Sequence, residues 1–343
     1  MNGLTIVTGG AGFIGSHLVG LLVGRGDRVR VVERPGADVS HLPQAVEVVR
    51  ADIRDRAQVE AALRGAGLVY HLAANPNLWV RDRREFDEVN HLGAVHVIDA
   101  ALAAGARRVL HTSTESILTR ARNDGPIAED VTISLGDAVG PYCLSKLLAE
   151  NEALERGRAG KPVVVANPTM PVGPGDRGPS PPTRLIRDFC RGGLPARMDC
   201  TLNLVDVRDA AEGLVRVMER GRPGRRYLLG GENLTLLELL QTLSELTGVP
   251  VPRWSVPYPL ALAAAHASEA WANLVSGRPP KATVTGVRLA RRLMHFDARR
   301  SLAELGLEPR AVRRSLADAV AWLIEEGQIP ATLAPVASRA HAP

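Results

Sequence analysis

Hydrophobic positions in the first half of the chain come in short unbroken runs, at residues 4–8, 29–32, 46–49, 68–72, 109–112 and 163–166. Runs of this length, rich in valine and leucine, suit strands covered on both faces, as in a parallel sheet. Between them, residues 13–23, 56–63, 86–103 and 142–155 carry helix-length patterns. Strand and helix in alternation predict an α/β fold with a doubly wound parallel sheet, the Rossmann arrangement, over residues 1–167.

The texture changes after Asn167. Prolines and glycines at 168–175 and 179–182 argue against regular helix or central strand and predict a long loop beside the sheet. Helical patterns return at 183–190, 208–220, 235–247, 260–275 and 312–326, with one short strand candidate at 226–229. Residues 168–328 are therefore expected to form a smaller, mostly helical substrate lobe, with segments near 200–220 returning to the sheet. The apolar stretch 256–267 is broken by Pro257, Pro259 and His266 and is too short to span a bilayer. It reads as a core helix, with contact to a membrane or a lipid-sized pocket as its alternative role. Residues 329–343, rich in proline and alanine, read as a weakly ordered tail.

Composition narrows the class. The chain has 343 residues, 45% hydrophobic and 23% charged, which excludes disorder and fibrous repeats. Its three cysteines, Cys143, Cys190 and Cys200, form no C-x-x-C pair, so neither a disulfide framework nor a metal site is expected. The N-terminus enters a strand at once, without the basic and apolar regions of a signal peptide, and a reduced, cytoplasmic compartment follows as the expectation. The net charge of +5 belongs wholly to the C-terminal part: from Arg278 onward eleven Lys and Arg stand against six Asp and Glu. Aromatic residues do not interleave with Arg288, Arg291, Arg292, Arg299 and Arg300, which argues against nucleic acid as a partner. A solvated helix face explains these arginines most simply, with an anionic substrate or peripheral membrane contact left open.

The chemistry begins where the first strand meets Gly9-x-x-Gly12-x-x-Gly15. Glycines at this spacing between strand and helix let a pyrophosphate approach the helix N-terminus, whose free N–H groups and dipole favour anions. Glu33 ends the second strand eighteen positions past Gly15, where a carboxylate accepts the ribose hydroxyls of NAD and repels a 2′-phosphate. Arg34 follows and could embrace that phosphate instead, so NADP stays open beside NAD. Asp52 is placed for the adenine amino group, and His71-Leu72-Ala73-Ala74 ends the fourth strand beside the cofactor.

Tyr142-Cys143-Leu144-Ser145-Lys146 places a phenol and an ammonium four residues apart on one helix face. A lysine ammonium near a phenol favours the phenolate, lowering a pKa that is normally about 10, which makes Tyr142 a candidate acid-base. At the end of the fifth strand, residues 111–116 set hydroxyls where α/β folds bind ligands. Thr114 would hydrogen-bond the reacting oxygen there.

With these motifs the chain resembles the extended short-chain dehydrogenase/reductases of the NAD-dependent epimerase/dehydratase family. Gly9 to Gly15, Asp52, His71 to Ala74, Asn90, Thr114, Tyr142 with Lys146, Asn167-Pro168 and residues 204–209 carry the likeness. Within the family it is most similar to hopanoid-associated sugar epimerases and dihydroflavonol-reductase-like ketoreductases. The resemblance implies catalysis by Thr114, Tyr142 and Lys146. It implies NAD contacts from Gly9, Gly12, Phe13, Ile14, Gly15, Glu33, Arg34, Asp52, Ile53, Leu72, Ala73, Ala74, Thr112, Tyr142, Lys146, Asn167 and Pro168, and Asn90 would anchor nearby backbone. Asn75, Glu115, Thr169 and Arg177 are the candidate contacts to a small-molecule substrate. Helices 86–103 and 139–155 would build a homodimer.

Sugar-nucleotide 4,6-dehydratases follow their threonine with an acidic pair, whereas here Glu115 stands alone before Ser116. Half the pair argues against elimination, which needs both a base and an acid. Glu115 either contacts a polar substrate group or caps a turn. Arg177, Arg184, Arg187, Arg191 and Arg197 crowd the lobe entrance as candidate grips for a nucleotide-sugar pyrophosphate. The leading reading is an NAD(P)-dependent oxidoreductase at a secondary alcohol or ketone. A nucleotide-sugar or sugar-lipid epimerase with transient oxidation by bound NAD is the alternative, and a cofactor-binding regulator without chemistry is a distant third.

Overall fold

The computed structural model describes residues 3–120 and 125–333. Seven parallel strands form the main sheet: β1 (Leu4–Thr8), β2 (Val29–Glu33), β3 (Glu47–Arg50), β4 (Ala66–His71), β5 (Arg108–Thr112), β6 (Val163–Pro168) and β9 (Arg226–Leu229). Their order is β3-β2-β1-β4-β5-β6-β9, so the chain reverses direction across the sheet beside β1, where such folds bind ligands. The central strands bury both faces, which is why they read as unbroken apolar runs.

Helices cover the two faces. α1 (Phe13–Gly24) and α7 (Val207–Arg220) pack on one, through Leu18, Leu22, Leu214 and Met218. α2 (Arg56–Ala62), α4 (Gly93–Ala103) and α5 (Gly140–Arg158) cover the other, through Val59, Ile98, Ala153 and Leu154. The expected single helix at 86–103 is in fact α3 (Arg84–Phe86), a π-helical stretch (Asp87–Leu92) and α4. The wider turn sits where Asn90 enters the protein, a common association of π-bulges with functional positions.

The second lobe is mostly helical, as expected, but it also holds a small sheet of its own. β6 runs through Pro168, and Met170–Val172 forms β7 within the stretch read as loop; β7, β8 (Thr201–Asp206) and β10 (Glu232–Thr235) make a three-stranded sheet ordered β10-β8-β7. Proline is tolerated because Pro168 ends its strand and Pro171 lies on an edge strand, where a missing N–H orphans nothing. Against this sheet pack α6 (Pro181–Cys190), α8 (Leu236–Thr247) and α12 (Val312–Glu325), through Phe189, Leu240, Leu243, Leu316 and Leu323. The segment near 200–220 divides: β8 stays in the small sheet, and α7 lies on the main one.

Two further expectations give way. Residues 256–267 are not core: α9 (Tyr258–Trp271) buries Ala261 and Ala265 but leaves Leu260 63% exposed, since α10 (Val284–Ala290) covers only one side. Ile329, expected in a loose tail, is 4% exposed among the α8 and α12 side chains, and residues 334–343 lie outside the described set. Between α10 and α12 the short α11 (Arg299–Leu305) seals the β9 edge. Among the described residues no helix is long and apolar enough to cross a membrane.

Asp206 joins the two layers. Buried at 1% exposure, it caps α7 by accepting the Arg208 N–H at 2.7 Å, takes the Arg208 guanidinium at 2.6 Å, and accepts the Ser315 hydroxyl of α12 at 2.7 Å. Replacing Asp206 with alanine removes the α7 cap and the hydrogen bond from Ser315 and leaves Arg208 with Asp318 alone, so urea unfolding is expected to show a loss of about 3 kcal/mol. A loss under about 1 kcal/mol contradicts this account of how the lobes are joined.

Candidate active site

β1 delivers the glycine loop to the mouth of the sheet. Gly9 has φ +71°, and a Cβ there would sit 2.6 Å from the Ala73 nitrogen; one at Gly15 would sit 2.2 Å from the Gly9 oxygen. Only glycine lets the loop press against both the end of β4 and the first turn of α1. That turn starts at Gly12 with no side-chain cap, so the leading N–H groups around Phe13 and Ile14 are available to an anion. Glu33 is 9% exposed, and its Oε1 accepts the Ala11 N–H at 2.8 Å, fixing the carboxylate beside the loop with Oε2 to spare. Arg34 is exposed. Asp52 is gripped by its neighbour Arg54, with Nε 3.0 Å from the carboxylate, and that hydrogen bond lowers its pKa. Ile53 is buried and would touch any side chain added at Gly93. The Leu72 and Ala73 N–H groups donate to the Thr8 carbonyl and hydroxyl, so Leu72, Ala73 and Ala74 leave the sheet alongside the glycine loop.

The candidate reacting groups lie one strand further on. Thr114 caps the short 3-10 turn Glu115–Leu118, donates to Glu115 Oε2 at 2.8 Å and lies 3.1 Å from the Ser116 hydroxyl. Tyr142 comes from the first turn of α5, its ring edge-on to Phe86 at 6.1 Å. That turn is pinned by Gly140, where a Cβ would lie 2.5 Å from the Thr285 hydroxyl of α10. One turn later Lys146, 4% exposed, donates from Nζ to the Thr112 carbonyl at 2.8 Å.

The electrostatics correct one expectation. Lys146 does not pull the Tyr142 phenol down; burial, reinforced by Cys143 and Glu115, pushes it well above its ordinary value, with Thr114 partly opposing. The Lys146 ammonium itself donates to a backbone carbonyl. Burial also drives Lys146 down to about 8, with Glu150 pulling it back up. Glu115 is pushed up to about 7 by burial, against the hydrogen bond from Thr114. His71 and His111, stacked 5.4 Å apart beneath the site, are held neutral by burial and by Lys146.

Sequence reasoning missed Glu150. Wholly buried, it accepts the Asn167 side-chain N–H at 2.6 Å and pairs with Arg226 at 2.7 Å. The same Asn167 nitrogen donates to the Thr114 carbonyl at 3.1 Å, so one carboxylate ties α5, β6 and β9 to the backbone of Thr114. Its signal was present, since Lys146 and Glu150 are four apart on one helix face. Asn90 acts as the resemblance implied: it brackets the Asn75 backbone with bonds of 2.7 and 3.1 Å and reaches the Ser145 hydroxyl at 3.2 Å.

The substrate candidates divide. Glu115 belongs to the cluster. Asn75 donates to Glu85 at 2.7 Å and so shapes the loop after β4. Thr169, 1% exposed, turns its hydroxyl to the Leu229 carbonyl, and Arg177 pairs on the surface with Glu326 at 3.4 Å. The other arginines are likewise engaged: Arg184 with the Pro179 carbonyl, Arg187 with Asp188, Arg191 with the Gln328 carbonyl and Arg197 with Asp199. Among the described residues the Thr112 hydroxyl and the Asn167 carbonyl oxygen are buried without protein partners, and Pro168 ends β6 opposite Leu229.

Residues 5–230 match the family model described as the NAD dependent epimerase/dehydratase family. A dihydroflavonol-reductase-like protein of Synechocystis is 35% identical, over 94% of this chain and 95% of that one. Sterol demethylase protein B of Methylococcus capsulatus is 36% identical, over 95% of this chain and 99% of its own. Among solved structures, a nucleoside-diphosphate-sugar epimerase from Pseudomonas aeruginosa superposes with a TM-score of 0.77 at 26% identity, over 95% of this chain and 99% of that one.

Two measurements probe the buried acids. With its pKa raised from 4.5 to about 7, Glu115 contributes stability that is full below about pH 4.5 and is lost as pH rises through 7. Between about pH 5 and 8 the Glu115→Gln variant should therefore lose about 2 to 3 kcal/mol less unfolding free energy than the parent. Parallel pH curves contradict the assignment. Glu150→Gln leaves Arg226 buried without its ion pair, at a cost of about 3 to 5 kcal/mol in unfolding. It also lets Lys146 titrate at lower pH, so the alkaline limb of the pH–rate profile should move down. An unmoved limb reduces Glu150 to a structural role.

Proposed function

Because the chain belongs to the NAD-dependent epimerase/dehydratase family, whose members are enzymes, we propose that it is an NAD-dependent oxidoreductase acting on a secondary alcohol or ketone, with Tyr142 as acid-base. One observation carries the reading: Thr114 hydrogen-bonds Tyr142 at the end of β5, and Lys146 follows one helical turn later on the Thr112 carbonyl.

The residues at the glycine loop fit NAD. The capless start of α1 suits a pyrophosphate, and the spare Glu33 oxygen suits an adenosine ribose with free hydroxyls while repelling a 2′-phosphate, which favours NAD over NADP. The unpartnered Thr112 hydroxyl and Asn167 oxygen, with Pro168 beside them, suit the nicotinamide end. Bound NAD would supply or accept the hydride at its nicotinamide ring. Tyr142 then gives its proton to the substrate oxygen, or takes it back in the reverse direction. Thr114 holds that oxygen by its hydroxyl, and Lys146, anchored on the Thr112 carbonyl, sets positive charge beneath the pair. Glu115, able to change protonation near neutrality and bonded to Thr114, is the group from which the threonine hydroxyl takes its orientation.

The epimerase reading draws on the family and on the Pseudomonas aeruginosa neighbour. Against it stands the engagement of all five lobe arginines by protein groups, which leaves none of them aimed at a substrate pyrophosphate. The walls next to Tyr142, made by Leu78, Ala138 and Val139, are apolar and suit a ring-shaped hydrocarbon ketone, in keeping with the name of the Methylococcus capsulatus relative. We further take the chain as a cytoplasmic homodimer joined through α4 and α5, in support of which Leu92 and Leu144 lie 42% and 39% exposed beside those helices.

Tyr142→Phe tests the assignment. NADH oxidation with a panel of polycyclic and alkyl ketones should fall about a hundred- to ten-thousand-fold, while NADH binding, followed by its fluorescence, stays within about threefold. Retained turnover in the variant removes Tyr142 from the chemistry.

A further inference from the structure

Helix α9 and the π-helical turn that extends it, Ala272–Ser276, bury a stripe of small side chains, Ala261, Ala265 and Ala272, together with Glu269. The opposite stripe is apolar too. Positions 260, 264, 267, 271, 274 and 275 recur at three- and four-residue spacing and read Leu, Ala, Ala, Trp, Leu and Val. Leu260, Trp271, Leu274 and Val275 are 63, 62, 85 and 62% exposed, and Trp254 just upstream is 77% exposed. These five are the most exposed large hydrophobic side chains among the described residues. Single exposed apolar residues are ordinary, but a concentration on one segment marks a contact surface.

The charges around this stripe have one sign. Residues 251–292 hold six Lys and Arg and a single acid, Glu269. That acid is 7% exposed and accepts the Val284 N–H at 2.7 Å, with Arg83 3.7 Å away. Arg253, Arg278, Lys281, Arg288 and Arg291 are exposed and form no ion pair among the described residues. Asp199, which accepts the Ser255 hydroxyl next to Trp254, is already paired with Arg197. Arg291 lies 4.7 Å over the Tyr258 ring, at the rim of an open groove of about 560 Å³ lined by Tyr258, Leu262 and His266.

We propose that α9 and its flanks are a docking surface for an anionic lipid bilayer, with Trp254, Trp271 and Leu274 entering the interface and the surrounding cations meeting lipid phosphates. An apolar stripe without exposed acids, ringed by unpaired cations and carrying tryptophan near both ends, is the chemistry of a helix lying in the plane of a membrane surface. A second copy fits less well, since a two-fold contact sets the same patch against itself and brings five unpaired cations together. The surface also adjoins the site. α10 packs on α9, its Thr285 abuts Gly140 at the start of α5, and its Gly286 approaches Leu78, which packs in one cluster with Tyr142. Docking would thus set the second lobe, whose α10 abuts the turn that carries Tyr142, against the bilayer. The surface is argued from exposure and charge alone and stands independently of the proposed reaction.

Cosedimentation of the full chain with vesicles of phosphatidylcholine, alone or mixed with phosphatidylglycerol, tests this. Binding is expected to the mixed vesicles only and to weaken with salt. It should fall about tenfold in a Trp271→Ser, Leu274→Ser variant and similarly in an Arg278→Glu, Lys281→Glu variant. All four positions are exposed, so thermal melting should stay near the parent's, and if the apolar variant fails to fold the charge variant decides. Absent binding, equal binding to both vesicle types, or binding unchanged in a folded variant overturns the proposal. A sedimentation-velocity mass that drops in the apolar variant, without vesicle binding in the parent, overturns it in favour of an interface between copies.

Discussion

A carboxylate with no exposed surface is costly unless every oxygen finds a strong partner, and the site is organised around one that does. Glu150 draws Asn167 from β6 and Arg226 from β9 to α5, and Asn167 passes the constraint to the Thr114 carbonyl. The carboxylate also sits one helical turn from Lys146 and offsets part of what burial takes from its charge. Glu150 therefore holds Asn167 directly and Thr114 through it, without needing to touch substrate. The second lobe contributes from the other side, through Thr285 against Gly140, so the turn that carries Tyr142 is clamped between the sheet and α10.

In the proposed reaction this arrangement makes Tyr142 a proton donor. A phenol beside a free ammonium would be primed as a base, but here the ammonium is committed to a backbone carbonyl and the phenol keeps its proton. Glu115, itself held up to about 7, hydrogen-bonds the threonine that would steady a substrate oxygen. The proposal of a hydrophobic ketone over a nucleotide sugar rests on the engaged arginines of the second lobe and on the apolar side chains clustered with Tyr142.

The main sheet was legible because its strands are buried on both faces: the runs beginning at Leu4, Val29 and Val163 start their strands as expected, and 226–229 is a strand end to end. The glycine loop and the Tyr142 and Lys146 pair were legible for the same kind of reason, since a fixed spacing on a known element leaves few geometries. The small sheet was hidden by Pro168 and Pro171, whose positions at a strand end and on an edge remove the penalty that proline usually carries. Glu150 was hidden because its partners Asn167 and Arg226 are far apart in sequence. The direction of the Tyr142 shift could not be read from spacing, because it depends on the burial of the phenol. Nor could the periodicity of α9 say which stripe would be covered, since both are apolar.

The central claim is that hydride and proton reach one carbonyl group, the proton from Tyr142, with net consumption of the cofactor. Its most direct test is a reaction with NADH carrying deuterium at the transferring position, followed by mass spectrometry of the product. The account predicts one deuterium on the carbinol carbon of the product alcohol and an equal amount of NAD released. Deuterium retained by the cofactor, or a nucleotide sugar inverted with no net change in NADH, contradicts it and makes the enzyme an epimerase.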